Sequence, residues 1–270
     1  MVNQFPQVLT IAGSDSDGSA GLQADMNTFQ RCGVYGMSVL TAAVAGNSYG
    51  IFASHPMPLD FINQQFKVLT DDFVIKACKT GMLTDTATIK TVADNYRQYD
   101  LGPLVLDPVI ITKHGDMLLE EDAFETLKSE LIPQATVLTP NYYEAVKLTG
   151  TEIDSPADAL QAAHILQKMG AKNVMVKGRH TSTTQAEVTD TVLLEDGTSF
   201  TLSAPYINTT HINGTGDLLS ACIAAEIAKG TSIEAAIRQA KKFVTAAIAD
   251  ELSVGHKYGP VNHLTDYNFD

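Results

Sequence analysis

Short apolar runs rich in β-formers alternate along this chain with amphipathic segments of helical period, and no other feature restricts the fold as much. Val8 to Ala12 is followed by the small, acidic stretch Gly13 to Gly21 and then by Leu22 to Arg31, which reads as strand, loop and helix. The pattern returns: Met37 to Val44 is apolar, Asp85 to Tyr99 helix-like, Leu104 to Ile110 apolar, Asp122 to Leu131 helix-like and Thr136 to Leu138 apolar. Such repeats are βα units, which align strands in parallel and cover the sheet with helices.

The second half continues the pattern. Pro156 to Met169 reads as a helix with Ser155 as N-cap and Pro156 in the first turn, and Asn173 to Lys177 as a strand. Val188 to Leu194 and Phe200 to Leu202 flank Glu195-Asp196-Gly197, a turn that favours positive φ and predicts an antiparallel hairpin. Two Ala-rich helices follow, Asp217 to Ala228 and Ile233 to Ala249. There is no low-complexity linker and no repeat of about 20 to 50 residues, so one α/β domain over residues 1–270 is expected. Its ligand should bind at the carboxyl ends of a mostly parallel sheet.

Charge narrows the partners. The chain carries 18 Lys and Arg against 31 Asp and Glu, a net charge of -13, with no basic cluster to neutralise a run of phosphates. Nucleic acid is thereby excluded as an expected partner, and an anionic ligand must be held by backbone N–H groups, one Lys or a metal ion. Cys32, Cys78 and Cys222 show no paired metal-ligand spacing and leave an odd thiol, so neither a disulfide framework nor a zinc site is expected. A reducing cytoplasm fits. The start, MVNQFPQVLTIAG, has no basic segment leading into an unbroken apolar one, and no run approaches the roughly 18 apolar residues that span a bilayer. It reads as the mature N-terminus of a soluble protein without a membrane partner.

The strongest local signal is His211-Ile-Asn-Gly-Thr-Gly-Asp217, just before the apolar helix. Gly214 and Gly216 let the backbone approach a ligand closely, and the N–H groups of a helix start bind anions such as a transferring phosphoryl group. Asp217 is the odd residue there. It is either an ordinary helix-start carboxylate or a general base that faces an attacking alcohol. Ala12 to Gly21 is a second Gly-rich loop, but its glycines at 13, 18 and 21 match neither a dinucleotide fingerprint nor a Walker loop. Taken alone it is an ordinary capped connection, with Asp25 placed to aim a carboxylate back toward the strand ends.

Asn141 and Glu144, spaced i,i+3 after the strand ending Leu138-Thr-Pro140, either organise a hydrated Mg²⁺ or form a capping box. Asp107, after Val105-Leu106, is a second acidic contributor or a strand terminator. Lys177 can reach a phosphate as a point charge or can snorkel at the surface. The polar stretch Ile111 to Asp116 is either a lid or a connection. His164, His256 and His263 share no metal-ligand spacing and are expected to be surface or packing residues.

Seven ordered motifs then make a resemblance. They are Ala12-Gly13-Ser14-Asp15 with Gly18-Ser19-Ala20-Gly21-Leu22-Gln23-Ala24-Asp25, Tyr35-Gly36-Met37, Lys79-Thr80-Gly81-Met82-Leu83, Asp107-Pro108-Val109, Thr139-Pro140-Asn141-Tyr142-Tyr143-Glu144-Ala145, Lys177-Gly178 and Asn213-Gly214-Thr215-Gly216-Asp217. In this order the chain resembles the ribokinase superfamily, and within it the hydroxymethylpyrimidine kinase and bacterial pyridoxal kinase branch. The resemblance reaches Val254-Gly255-His256, Gly259-Pro260-Val261 and His263.

It implies a three-layer α/β/α fold and transfer of the ATP γ-phosphoryl group, with Mg²⁺, to a hydroxymethyl group on a small aromatic heterocycle. By position it implies an anion hole at Gly214, Thr215 and Gly216 and a base at Asp217. Asn141, Lys177, Gly178, Asp190, Lys241 and Lys242 fall on the ATP side. Glu144 and Asp107 fall on the metal. Gly13, Ala20, Asp25, Gly46 and Met82 fall on the substrate side. A homodimer is expected because relatives are commonly dimers.

Three departures bear on the substrate. Close relatives usually carry Cys where Asp217 stands, and some pair it with a lid Cys where this chain has Thr112, so a thiol-dependent mechanism does not carry over. Hydroxymethylpyrimidine kinases often have Gln where Gly46 stands. A Gln amide reads a pyrimidine edge and Gly does not. The implied acceptor is therefore a pyridoxal, pyridoxine or pyridoxamine, with hydroxymethylpyrimidine or its phosphate as the alternative. From another class, a non-catalytic vitamer- or nucleotide-binding sensor would be expected to have lost at least one of Asp217, Glu144 and Lys177, and all three are present.

Overall fold

A computed structural model describes residues 4–111, 119, 121–179 and 185–269. The first half runs β1 (Gln7–Ala12), α1 (Gly21–Arg31), β2 (Tyr35–Leu40), β3 (Ala42–Asn47), β4 (Gly50–Pro56), α2 (Leu59–Thr70), β5 (Ile75–Thr80), α3 (Thr86–Gln98), β6 (Leu104–Leu106) and α4 (Glu121–Thr126). The second runs β7 (Val137–Leu138), α5 (Tyr142–Thr149), α6 (Pro156–Lys168), β8 (Asn173–Val176), β9 (Glu187–Leu193), β10 (Ser199–Pro205), β11 (His211–Asn213), α7 (Thr215–Ala228), α8 (Ile233–Ala249) and β12 (Gly259–Pro260).

Eight strands form one sheet in the order β10-β9-β8-β7-β6-β5-β1-β2. The six from β2 to β8 are parallel, while β9 is antiparallel to both β8 and β10. The strand order reverses beside β1, with β2 on one side and β5 on the other. Open α/β sheets bind ligands at the carboxyl ends of strands around such a point.

Alternation along the strands sorts side chains into two cores. Leu104 and Leu106 pack with the buried faces of α2, α3, α4, α5 and α6. Val105, between them, packs with α1, α7 and α8 on the other side. This is the expected three-layer α/β/α arrangement. Helix α7 is buried on nearly every side, including Leu218, Leu219, Cys222 and Ile223, which suits a helix sandwiched between β5, α1 and α8. Among the described residues no helix is long and apolar enough to cross a membrane.

The structure differs from the sequence reading at Met37 to Val44. That apolar run is two strands, because the chain turns at Thr41: its N–H bonds to Ala12 at 3.0 Å, and Ser14 N–H bonds to Ala42 at 2.8 Å. The chain then leaves the main sheet, and β3 pairs antiparallel with β4 as a separate flap. The expected caps hold at Ser155, whose hydroxyl accepts from Asp158 N–H at 3.3 Å, and the hairpin turns at Gly197 with φ of 85°. Residues 112–118 of the expected lid, Thr112 among them, lie outside the described residues.

Candidate active site

The loops after β1, β5, β6 and β8 converge on the start of α7. Gly214, its N-cap, has φ of 78°, and a Cβ there would stand 2.1 Å from the Ser19 carbonyl oxygen. Only glycine lets the β1–α1 loop and the head of α7 come this close. Helical geometry leaves the N–H groups of Thr215, Gly216 and Asp217 without partners in their own helix, and they head a helix dipole. Gly216 keeps the space above them open: a Cβ there would lie 3.2 Å from Asp107 Oδ2 and 3.6 Å from Lys177 Nζ.

A buried charge network surrounds this cradle. Lys177 Nζ lies 3.2 Å from Asp107 Oδ1. Lys79 Nζ lies 2.7 Å from Asp25 Oδ1 and 3.5 Å from Asp217 Oδ1, and Thr10 donates its hydroxyl to Asp25 Oδ2 at 2.5 Å. Asp25 and Lys79 are fully buried, whereas the Asp217 side chain is 17% exposed. Burial works against the charge on Lys79, yet Asp25, Asp217 and Asp107 together hold its pKa above the usual lysine value. Lys177 is held up in the same way by Asp107 and Glu144. Burial, with Asp217 adding to it, pushes the Asp25 carboxyl up to about 7 despite Lys79.

Asn141 and Glu144 build the capping box. Asn141 Oδ1 accepts from Glu144 N–H at 3.0 Å, and Glu144 Oε2 accepts from Asn141 N–H at 2.7 Å. Glu144 Oε1 accepts from Ile110 N–H at 2.9 Å, and Asn141 Nδ2 donates to the Ile111 carbonyl. The two readings of this pair are thus not exclusive: the box fixes a carboxylate that is 1% exposed and carried up to about 7 by burial, beside Lys177 and Asp107. Val109 has φ of 46°, uncommon for a β-branched residue. This strained turn presents the Ile110 N–H to Glu144.

On the β8 side, Asp190 Oδ1 accepts from Gly178 N–H at 2.8 Å and its Oδ2 meets Lys241 Nζ at 2.7 Å. Asp190 and Lys241 therefore hold the backbone that follows Lys177. Lys242, expected with them, is exposed on α8.

The expected substrate side gathers around the β1–α1 loop. A Cβ on Gly13 would stand 2.7 Å from Met82 Cε, and Ala20 N–H donates to Asp15 Oδ2 at 3.1 Å. Gly46 joins from the flap, its N–H bonded to Ser16 Oγ at 2.9 Å while Ser16 donates to the Gly46 carbonyl at 2.8 Å. Asp25, expected on the same side, is fully buried, with its two oxygens engaged by Thr10 and Lys79. A cavity of about 270 Å³ opens between this loop, the flap turn and the C-terminal segment, lined by Ser19, Asn47, Tyr49, Gly255 and Tyr258 among others. A hollow of about 500 Å³ between α2 and α3 shares no residue with the cluster.

The sequence reading gives Lys79 no role, although a lysine in the buried run Ala77-Cys78-Lys79-Thr80 is a detectable anomaly. Of its two readings, surface or packing, His263 takes the second: it is 5% exposed, and burial holds its pKa down while Asp217 pulls it up. The fold also brings Cys32, Cys222 and Glu226 together, their ligand atoms within 4.8 Å of one another, which their spacing does not suggest. Glu226 is already paired there with Lys229 at 2.6 Å.

The donor set fits a divalent cation. Asp107 Oδ2 borders the open space over Gly216, and the buried Glu144 carboxyl lies close enough to Asp107 and Lys177 to feel both charges. A sheet switch point, a glycine-rich helix start with a carboxylate in its first turn and a buried acid–lysine network define a small-molecule kinase of the ribokinase-like fold. The chain belongs to the phosphomethylpyrimidine kinase family, whose sequence profile matches residues 15–262.

It is 50% identical to the hydroxymethylpyrimidine/phosphomethylpyrimidine kinase of Haemophilus influenzae, over 97% of this chain and 98% of that protein. Its structure superposes on Bacillus subtilis pyridoxal kinase, solved as an ADP complex, with a TM-score of 0.89 and 36% identity, over 97% and 98% of the two chains. The Staphylococcus aureus pyridoxal kinase in complex with AMP-PCP and pyridoxal gives a TM-score of 0.87 and 32% identity, over 97% of this chain and 94% of that one.

Proposed function

We propose that this kinase transfers the γ-phosphoryl group of ATP to the hydroxymethyl arm of a pyridoxal-type vitamer: pyridoxal, pyridoxine or pyridoxamine. The observation that carries the chemistry is Asp217, a partly exposed carboxylate in the first turn of the glycine-rich helix start. Asp217 takes the proton of the acceptor alcohol as its oxygen attacks phosphorus. The N–H groups of Thr215, Gly216 and Asp217, with Gly214 holding the turn, stabilise the charge on the transferring group. Positioning and electrostatics of this kind are what phosphoryl transfer requires.

Lys177 offsets the negative charge of ATP from the β8 end, Asn141 and Gly178 line its path, and Asp190 with Lys241 holds Gly178 in place. Bound Mg²⁺ supplies neutralisation of phosphate oxygens. Asp107 and, through the water shell that Mg²⁺ retains, Glu144 would hold it. Gly13, Ala20, Gly46 and Met82 shape the ring site, and Asp25 acts from behind Lys79. The proposal extends to a single cytoplasmic domain that works as a homodimer, for which the exposed strand β4, with Ile51 and Phe52, supplies apolar surface.

Gly46 favours the vitamer, since it offers no amide to read a pyrimidine edge. The 50% identity to the Haemophilus influenzae protein favours the second reading, hydroxymethylpyrimidine or its phosphate as acceptor. Relative kcat/KM with ATP for pyridoxal and hydroxymethylpyrimidine in competition decides between them. A clear preference for the pyrimidine overturns the first reading. Asp217→Asn is expected to lower kcat by about 10² to 10⁴-fold while ATP still binds.

A further inference from the structure

Burying an ammonium is costly unless acids compensate it, and Lys79 has two. Asp25 lies behind it at 2.7 Å, fully buried and fixed by the Thr10 hydroxyl. Asp217 lies in front at 3.5 Å, partly open to the site. The ammonium thus bridges a fully buried acid and a partly exposed one.

We propose that Lys79 is a positioning residue for phosphoryl transfer: anchored by the buried Asp25, its ammonium fixes the Asp217 carboxylate at the head of α7, where it takes the acceptor's proton. This rests on the reading of Asp217 as the base. The groups that face Asp217 are Asp25 from α1, Lys79 from β5, Lys177 after β8 and His263 from the C-terminal segment, with Asp107 after β6 next to Gly216. Lys177 is engaged by Asp107 at 3.2 Å, which leaves Lys79 as the cation lying directly against Asp217.

The anchor has a second effect. Two acids compete for one ammonium, so Asp25 limits how strongly Lys79 engages Asp217. When the acceptor O–H bond breaks, its proton passes to Asp217, the oxygen forms its bond to phosphorus, the bond from phosphorus to the bridging oxygen breaks and ADP leaves.

The test is the pH profile of kcat/KM with ATP and pyridoxal for Asp25→Asn, Lys79→Met and the double variant. The double variant removes the whole buried pair and keeps the test valid if Lys79→Met alone does not fold. Asp25→Asn leaves Lys79 to Asp217, and its acid limb should move to lower pH by about one unit. Lys79→Met should move the limb to higher pH by about one unit or more and lower kcat with little change in KM for ATP. The double variant should have a higher limb than Asp25→Asn. Acid limbs unchanged in all three, with only stability altered, overturn the proposal. Turnover retained by Asp217→Asn overturns the base assignment itself and is a separate result.

Discussion

Asp107 Oδ2 stands 3.2 Å from the point that a Cβ on Gly216 would occupy. The second residue of α7 is therefore glycine for a reason unrelated to backbone conformation, since Gly216 does not have positive φ. A methyl group there would fill the space between the helix amides, Asp107 and Lys177. Gly216→Ala should lower kcat by about 10² to 10³-fold, comparable to losing a donor to a developing charge. Thermal stability should hold or rise, because Ala is the better helix former by about 1 kcal/mol. Steady-state kinetics beside a melting curve checks both, and near-normal turnover would show that the phosphoryl group does not pass over Gly216.

Asp190 and Lys241 are tied at 2.7 Å with little exposure, and Asp190 also holds the Gly178 N–H. Lys241→Met strands a buried carboxylate and should cost about 3 kcal/mol in urea unfolding, with a raised KM for ATP. Adding Asp190→Asn removes the stranded charge and should recover much of the stability. It should not recover KM, because nothing then fixes Gly178 as before. Additive losses in the double variant would mean that the two residues act independently.

Glu144 makes stability depend on pH. Burial carries its carboxyl up from 4.5 to about 7, so between these values the folded protein binds more protons than the unfolded chain. Stability must then fall as pH rises through this window. Asp25, also raised to about 7, and Asp15, raised to about 6 by burial and by Asp17, act in the same direction. The ligand-free protein should lose several degrees of Tm from pH 5 to 8, on the order of a few kcal/mol per fully shifted acid. Glu144→Gln should flatten the slope while lowering Tm at pH 5, because a Gln amide cannot accept from both Asn141 and Ile110. A Tm that rises across this window would contradict the assignment.

Much of this site was legible in the sequence because its parts are local. The glycines and Asp217 at the head of α7, the Asn141–Glu144 spacing and Lys177 after β8 each declare themselves within a few residues. The βα alternation then brings the loops to one edge of the sheet. What stayed hidden depends on contacts between distant segments. Asp25 and Lys79 are 54 positions apart and meet only because β5 lies beside β1. The capture of β3 by β4 depends on the turn at Thr41, which bonds back to Ala12, and the apolar run from Met37 to Val44 gives no sign of it. For His263 the sequence leaves surface and packing open, and the choice is made by distant sequence too, since Val261 N–H in the same segment bonds to Asn213.

Gly46 offers the sharpest test of acceptor choice. Its backbone is clasped by Ser16, which fixes the flap over the β1–α1 loop whatever side chain residue 46 carries. A Cβ there would meet the Gly50 carbonyl oxygen at 3.2 Å and Asp15 Oδ1 at 3.5 Å, so a side chain fits with a small shift of the β3–β4 turn. Gly46→Gln would supply an amide that both donates and accepts, as a pyrimidine edge requires. One well-placed polar contact is worth about 1 to 1.5 kcal/mol, or roughly tenfold. The ratio of kcat/KM for hydroxymethylpyrimidine to that for pyridoxal should therefore rise about tenfold in Gly46→Gln, with KM for ATP unchanged. An unchanged ratio would place the ring away from residue 46 and remove the argument from Gly46 for a pyridoxal-type acceptor.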